Sequence, residues 1–147
     1  PVTAALALPE GKLRAAVAAL AGHQPLHDAT RAAHAAAFVV PGQGIVMARE
    51  DVGRHNALDK LAGALITADI PAASGAVLMT SRVSVDLVQK VARMGAPVLA
   101  ALSAPTVAAV DLAAAAGMTL AAMARADRFE VFAHPQRISG QGATVAA

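Results

Sequence analysis

Short apolar segments that alternate with helical segments constrain the fold of this chain more than any other feature. Residues 75–80, 97–102 and 118–123 are each about as long as a buried strand. The segments between them show helical hydrophobic periodicity. Parallel strands need a long crossover connection, which a helix usually provides. The alternation therefore predicts an α/β fold, with parallel strands and with helices on both faces of the sheet.

The helical segments carry recognisable start and stop signals. Ser84 precedes one helical pattern and Thr106 precedes the next, and both residue types are favoured N-caps. Asp86 would lie in the first turn, where a negative charge is favourable. Gly95 and Gly117 are placed to end these helices, because glycine readily adopts the left-handed conformation of a helix C-terminus. We therefore expect two capped helices here.

A helix and two strands are predicted before this region. A helix is expected to start near Pro9 and to end near Gly22. Residues 34–40 and 45–48 are predicted to be strands, and the glycine-rich turn 41–44 between them should make them pair as a hairpin.

The remaining segments complete the expected architecture. Residues 52–67 are predicted to form a helix and residues 130–133 a closing strand. The apolar face of that helix is expected to comprise Leu58, Leu61, Leu65 and Ile66. The result is an open three-layer α/β/α sandwich with a mixed sheet whose first strand is antiparallel. We expect one domain over residues 1–138 and a disordered tail over residues 139–147.

The composition fits a single domain and excludes several classes of function. The chain has 147 residues, of which 56% are hydrophobic but only 2% aromatic, so small aliphatic side chains must build the core. The net charge is +2 without a run of Lys and Arg, which argues against nucleic-acid binding. No uninterrupted apolar segment is long enough to cross a membrane, and the sequence does not begin like a secretory signal. We therefore expect a cytoplasmic protein without a membrane partner.

Polar segments follow three of the predicted strands, at the point where each strand ends. Residues 49–54 follow the second strand, 81–84 the third and 103–106 the fourth. Ligands of open α/β sheets bind at the carboxyl ends of the strands, near the following helix N-termini. Hydroxyl, arginine and backbone N–H groups suit phosphate oxygens. The sequence therefore predicts a phosphorylated ligand at this edge of the sheet.

Several residues allow more than one role. The arginines at 125, 128 and 137 form either an anion site or an ordinary mixed surface. His55 could donate a proton to a ligand or be a structural partner of Asp51 or Asp59, and the structural role is favoured. Asp59 is expected to pair with an arginine. Ser84 and Thr106 are expected to be caps rather than nucleophiles. The histidines lack metal-ligand spacing, so we expect no metal site.

Four motifs, in a fixed order, resemble one known family. Residues 49–60 read R-E-D-V-G-R-H-N-A-L-D-K, and residues 81–86 read S-R-V-S-V-D. Residues 103–106 read S-A-P-T, and residues 118–138 contain T-L, two arginines and a terminal H-P-Q-R-I. This pattern resembles the FdhD/NarQ family of formate dehydrogenase accessory sulfurtransferases over nearly the whole chain.

The resemblance implies a cytidine-deaminase-like fold and a role in the maturation of formate dehydrogenase. In the family, sulfur from a cysteine desulfurase is passed to the molybdenum bis(molybdopterin guanine dinucleotide) cofactor, and the cofactor then enters formate dehydrogenase. The resemblance places cofactor binding on Met123, Ala124, Arg125, Ala126, Asp127 and Arg128. With the polar loops, the expected cofactor-binding set also contains Arg54, His55, Ser81, Arg82, Ser84, Ser103 and Thr106. GDP is expected to mimic the cofactor, and the family suggests a homodimer.

The chain departs from the family pattern in two respects. Residues 30–35 read T-R-A-A-H-A where the family carries T-G-G-x-H-x-A, so Arg31 and Ala32 replace a glycine pair and its backbone freedom. The chain also has no cysteine, whereas the family carries sulfur on a cysteine in a C-x-x-C loop. A persulfide needs a thiolate. Whether the chain is an enzyme therefore stays open, and no catalytic residue is assigned.

Two other functions remain as alternatives. A deaminase on the same fold is disfavoured, because that chemistry needs a zinc-binding H-x-E…P-C-x-x-C pattern. A guanine-nucleotide-binding or dimerising structural module without catalysis is the second alternative, with residues 49–60 as the dimer surface.

Overall fold

The computed structural model of the chain describes residues 2–30, 32–140 and 144–145. Within these residues, a mixed sheet has the strand order β3-β2-β4-β5-β6-β7-β9, and β1 pairs separately with β8. The strands, in chain order, are β1 (Leu8–Pro9), β2 (His34–Val40), β3 (Gly44–Asp51), β4 (Ala76–Met79), β5 (Val98–Ala101), β6 (Thr119–Ala122), β7 (Glu130–Ala133), β8 (Ile138–Ser139) and β9 (Thr144–Val145).

Helices cover both faces of the sheet, as the alternation of segments predicts. They are α1 (Glu10–Ala19), α2 (Pro25–Thr30), α3 (Arg54–Thr67), α4 (Val85–Met94) and α5 (Val107–Ala116). Buried side chains of α3, α4 and α5 form one core with one face of the sheet. Residues of α1 form a second core with the other face. The predicted three-layer α/β/α sandwich is therefore confirmed.

Strand direction decides where the polar loops lie. β4, β5 and β6 are parallel to one another, and β2 is antiparallel to both β3 and β4. The strands β3, β4, β5 and β6 therefore end at the same edge, which we call the carboxyl edge. The opposite edge is the amino edge. The predicted hairpin of β2 and β3 is confirmed, and β7 adds an antiparallel strand at the other side of the sheet.

The predicted helix caps are present. The Ser84 hydroxyl accepts a hydrogen bond from the N–H of Leu87 at 3.5 Å, and the Thr106 hydroxyl accepts one from Ala109 at 3.1 Å. Gly95 and the glycine at 117 end α4 and α5 in the left-handed conformation, with φ of 88° and 77°. Both serine and threonine thus act as caps, as expected, because each satisfies a helix N–H that has no partner within the helix.

Two details differ from the expected helices. Ile66 was assigned to the apolar face of α3, but it is 80% exposed, whereas Leu58, Leu61 and Leu65 are buried. The physical reason is the helical period, since a residue directly after Leu65 is rotated by about 100° away from the buried stripe. In addition, the short helix α2 follows α1, and no helix was predicted there.

The segment expected to be a disordered tail is only partly described. Ser139 pairs with Pro9 in the β1–β8 pair, and Thr144 and Val145 pair with β7. Residues 141–143 and 146–147 lie outside the described residues, as does Arg31 of the altered glycine motif. None of the described helices is long and apolar enough to cross a membrane.

Candidate functional site

A cleft of about 540 Å³ opens at the carboxyl edge of the sheet. One side is formed by the loops that follow β4, β5 and β6, and the other by α1, α2 and the start of β2. The lining residues are Val17, Gln24, His27, Ala32, Ala33, His34, Thr80, Leu102, Ser103, Ala124, Arg125 and Ala126. The cleft therefore lies where strand direction predicts a ligand site.

Hydrogen bonds of two hydroxyl groups connect the segments that line the cleft. Ser103 Oγ donates a hydrogen bond to the carbonyl oxygen of Thr80 at 3.1 Å. Thr80 Oγ1 accepts one from the backbone N–H of Ala35 at 3.0 Å. A hydroxyl group has one donor and two acceptor positions. The Thr80 hydroxyl can therefore still donate to a ligand, and the Ser103 oxygen can still accept.

Arg125 brings a positive charge to the rim of the cleft. Its Nη1 donates hydrogen bonds to the carbonyl oxygens of Leu102 at 2.6 Å and Ala124 at 2.7 Å. The chain turns sharply just before it, because Met123 has a φ of 54°, in a region that non-glycine residues rarely occupy. The side chain is exposed, and a guanidinium group has five N–H donors. Most of these donors remain available to an anion. The two hydrogen bonds of Nη1 hold the side chain in place.

Four polar lining residues, Gln24, His27, His34 and Thr80, were not part of the sequence-based site. His27 lies on α2 and donates from Nδ1 to the carbonyl oxygen of Ala33, 3.1 Å away, because a carbonyl can only accept. His34 begins β2, whose amino end meets the carboxyl ends of its antiparallel neighbours. The predicted hairpin contained the information needed to place His34, but nothing in the sequence placed Gln24 or His27.

The charge of the cleft favours an anionic ligand. Among the described lining side chains there are one arginine and two histidines but no carboxylate. Clefts lined by one sign of charge concentrate ligands of the opposite sign. The arrangement thus agrees with the expectation of a phosphorylated ligand, which itself stays a prediction.

The structure brings only part of the expected cofactor-binding set into this cleft. Ser103, Ala124, Arg125 and Ala126 line it. The following members belong to the same edge of the sheet but do not line the cleft: Arg54, His55, Ser81, Arg82, Ser84, Thr106, Met123, Asp127 and Arg128. Ser81 is only 2% exposed and donates its hydroxyl hydrogen to the carbonyl oxygen of Arg82. Arg54 Nε is buried and has no hydrogen-bond partner among the described residues.

The charged string at residues 49–60 forms local contacts. Lys60 Nζ lies 2.7 Å from Asp51 Oδ2 and donates to the carbonyl oxygen of Glu50 at 2.9 Å. The hydrogen bond from Lys60 and a second one from the N–H of Gly53 hold the pKa of Asp51 below its ordinary value. These contacts fix the turn between β3 and α3.

Two expected pairings within this string are wrong. Asp59 pairs with Lys90 at 3.0 Å rather than with an arginine, because α4 packs beside α3 and presents a lysine there. His55 makes no hydrogen bond or ion pair with Asp51, Asp59 or any other residue of the described chain.

The three arginines near the end of the chain separate into different environments. Arg128 is exposed and lies 3.7 Å from Asp127. Arg137 is buried at the amino edge, where Nη1 donates to the carbonyl oxygen of Gly117 at 2.7 Å and to Thr119 Oγ1 at 3.2 Å. Burial lowers its pKa. An anion site shared by all three arginines is therefore excluded.

The described residues contain no group of three or more histidine, cysteine, aspartate or glutamate side chains that could hold a metal ion. Of the two histidines in the cleft, His27 makes a ring hydrogen bond, to the carbonyl oxygen of Ala33.

Comparison with known proteins agrees with this architecture. A family model described as the FdhD/NarQ family matches residues 1–139. The chain is 55% identical over 124 residues to the sulfur carrier protein FdhD of Agrobacterium fabrum, covering 84% of this chain and 46% of that protein. It is 46% identical over 139 residues to the protein of the same name from Bordetella bronchiseptica, covering 95% of this chain and 50% of that protein. The chain thus spans about half the length of these curated relatives.

A solved structure is similar in fold. It is described as a formate dehydrogenase accessory protein of Desulfotalea psychrophila, and it matches with a TM-score of 0.87 and 31% sequence identity over 95% of this chain and 60% of that chain. The family model, the relatives and the fold lead to one conclusion: this chain belongs to the FdhD/NarQ family.

Proposed function

We propose that this chain is the cofactor-binding part of a sulfur carrier protein that serves the maturation of formate dehydrogenase. Relatives named sulfur carrier protein FdhD and a structural neighbour described as a formate dehydrogenase accessory protein support this role. The observation that carries the proposal is the cleft at the carboxyl edge, which is lined by Arg125 and hydroxyl groups and, in its described part, by no carboxylate. The ligand we propose is molybdenum bis(molybdopterin guanine dinucleotide).

The described residues fit one nucleotide end of this cofactor. A volume of about 540 Å³ lies within the range of small-molecule sites. It cannot enclose both nucleotides together with the metal centre. Arg125 offers charge-assisted hydrogen bonds to phosphate, and Thr80 offers a hydroxyl donor. GDP is therefore a suitable probe, since it contains the guanine base and the diphosphate.

The role of this chain in the reaction is to bind and orient. When bound, the cofactor would supply a molybdenum centre as the acceptor of sulfur. Arg125 neutralises phosphate charge, and the bonds from Ser103 and to Thr80 keep the loops in place around the nucleotide. The chain contains no cysteine, so a persulfide has to be carried by a thiol outside these 147 residues. We propose a cysteine desulfurase as the sulfur donor, formate dehydrogenase as the recipient of the cofactor, and a homodimer as the working state.

Nuclear magnetic resonance tests the location of the ligand. Addition of GDP is expected to shift the backbone amide signals of Thr80, Ser103 and Arg125. A second cavity of about 420 Å³, between α3 and α4, serves as an internal control, and Ala62 and Arg93, which line it, should not shift. Shifts confined to the second cavity, or none at all, would contradict the proposal.

A mass measurement tests the division of roles. Incubation of this chain with a cysteine desulfurase and cysteine should leave its mass unchanged, because no side chain can form a persulfide. A sulfur adduct on the purified chain would show that the carrier function lies here after all.

A further inference from the structure

Glu50 connects the edge strand β3 to the helix that forms one wall of the cleft. Its Oε1 accepts a hydrogen bond from the N–H of Leu26 at 2.9 Å, and its Oε2 accepts one from the N–H of His27 at 2.7 Å. Side chains alternate between the two faces of a strand. Glu50 therefore points towards α2, whereas its neighbour Asp51 points towards Lys60 on α3.

The helix α2 gains little from the burial of its side chains. It has six residues, and none of its described side chains is fully buried, since Pro25, Leu26 and Ala29 are exposed and His27 is half-buried. Helices this short are marginal without tertiary support. Two N–H groups of its first turn find their acceptors in the Glu50 carboxylate, and a negative charge at this end is also favourable. Glu50 is thus a principal anchor of α2.

The residue that Glu50 holds is itself part of the cleft. The same carboxylate that binds the His27 backbone fixes the start of α2, and the His27 ring donates from Nδ1 to Ala33. Backbone and ring are therefore both held in place. Nε2 makes no hydrogen bond within the described part of the chain, so this nitrogen remains for a ligand of the cleft.

We infer that Glu50 is a positioning residue for the cleft and that His27, through Nε2, is the nucleotide contact that it positions. This inference rests on the proposed function, because it takes a guanine nucleotide as the ligand. It assigns a positioning role to Glu50, the first of the two acidic residues in the R-E-D motif at 49–51. Glu50 acts on the ligand through α2, without touching it.

The first test needs no ligand. In Glu50→Ala, the amide hydrogens of Leu26 and His27 should exchange with solvent faster than in the wild type, while the amides of β4 and β5 keep their protection. Glu50→Gln retains one acceptor oxygen and should lie between the two. Asp59→Ala is the matched control, because it removes an acidic residue of the same string whose ion pair with Lys90 is exposed. Unchanged exchange at Leu26 and His27 would overturn the positioning role.

The second test measures GDP binding by calorimetry. His27→Ala should raise the Kd about fivefold, which corresponds to one hydrogen bond of about 1 kcal/mol. Glu50→Ala should have a similar effect, and Asp59→Ala none. The double variant with both substitutions should bind GDP no more weakly than His27→Ala alone, because Glu50 acts through His27. Additive losses would refute this coupling.

The two tests separate the inference from the proposed function. If the wild type does not bind GDP, the proposed function fails and the His27 contact fails with it, whereas amide exchange still decides whether Glu50 anchors α2. If GDP binds but His27→Ala leaves the Kd unchanged, the proposed function stands and the inference is wrong.

Discussion

The two edges of the sheet use the same residue type in opposite ways. At the carboxyl edge, Arg125 is exposed, and its Nη1 donates to two neighbouring carbonyl oxygens. At the amino edge, Arg137 is 8% exposed, and its guanidinium group donates to Ala4, Pro97, Gly117 and Thr119. Arg125 is thus an exposed arginine with few bonds to the protein, whereas Arg137 is a buried arginine that bonds to four residues.

Topology accounts for this difference. Arg125 and Arg137 are separated in sequence by β7, a strand of four residues that runs from the carboxyl edge to the amino edge. The carbonyl groups of Pro97 and Gly117 precede β5 and β6. Pro97 also accepts a hydrogen bond from the N–H of Thr119 at 3.0 Å, whereas Gly117 would lose the donor that Arg137 supplies. A buried donor or acceptor without a partner is costly. Arg137 therefore donates to backbone acceptors at the amino edge, whereas Arg125 at the carboxyl edge stays exposed.

The largest effect is expected from Arg137→Ala. Loss of the buried guanidinium group removes its packing and the hydrogen bonds that it donates to the half-buried carbonyl oxygens of Ala4 and Gly117, so the free energy of unfolding should fall by about 3 kcal/mol. Urea denaturation measures this loss, and GDP affinity should stay unchanged wherever the variant is folded. Arg93→Ala, an exposed arginine on α4, is the control and should change stability by less than about 0.5 kcal/mol. Equal stability of the two variants would remove the contrast between the edges.

Arg125→Ala should show the reverse pattern. A charge-assisted hydrogen bond to phosphate contributes about 1.5 to 3 kcal/mol, so GDP should bind roughly ten times more weakly or worse. The melting temperature should change little, because the side chain is exposed. Calorimetry and thermal unfolding of the same samples check both expectations. If Arg125→Ala lost stability but kept its affinity for GDP, Arg125 would have a structural role like that of Arg137.

The sequence predicted the architecture well, because its signals are local. The alternation of apolar and helical segments, the caps at Ser84 and Thr106, and the glycines at 95 and 117 each depend on a few adjacent residues. The family resemblance runs from about Leu8 to Ile138 and is confirmed by the family model, which matches residues 1–139. The polar loops were also correctly assigned to one edge, since strand direction follows from the order of elements.

The details of the site depended on packing, which the sequence does not show. Arg137 was grouped with Arg125 and Arg128 by proximity in the chain, although a single strand carries it to the opposite edge. Glu50 was expected to contribute to a polar site, yet it caps a six-residue helix that has no periodicity of its own. The cleft residue His27 lies on that same helix and could not be identified for the same reason.

Selectivity for the base is expected to be a smaller effect at the carboxyl edge. GDP should bind about fivefold more tightly than ADP, because a site that matches the hydrogen-bonding groups of guanine leaves one or more of them unpaired with adenine. Competition between the two nucleotides in calorimetry measures the ratio. The same ratio should persist in Arg125→Ala, since the arginine is proposed to contact phosphate. Equal affinities would favour a phosphate site without base recognition and would support the dimerising module.

The smallest effect should come from Asp51, whose ion pair at the carboxyl edge is exposed to solvent. The hydrogen bonds from Lys60 and from the Gly53 N–H lower its pKa in the folded state. A carboxyl group with a lowered pKa stabilises the fold above its unfolded pKa of about 4, and this contribution is lost as the pH falls through the folded pKa. The wild type should thus be slightly more stable than Asp51→Asn at neutral pH, and the difference should vanish in acid and shrink in high salt.

The loss of stability caused by Arg137→Ala should instead be the same at both pH values, because arginine keeps its charge there. Urea denaturation of the wild type and both variants at neutral and acid pH measures these differences in stability. If the stability difference between the wild type and Asp51→Asn did not depend on pH, the ion pair of Asp51 would not contribute as described.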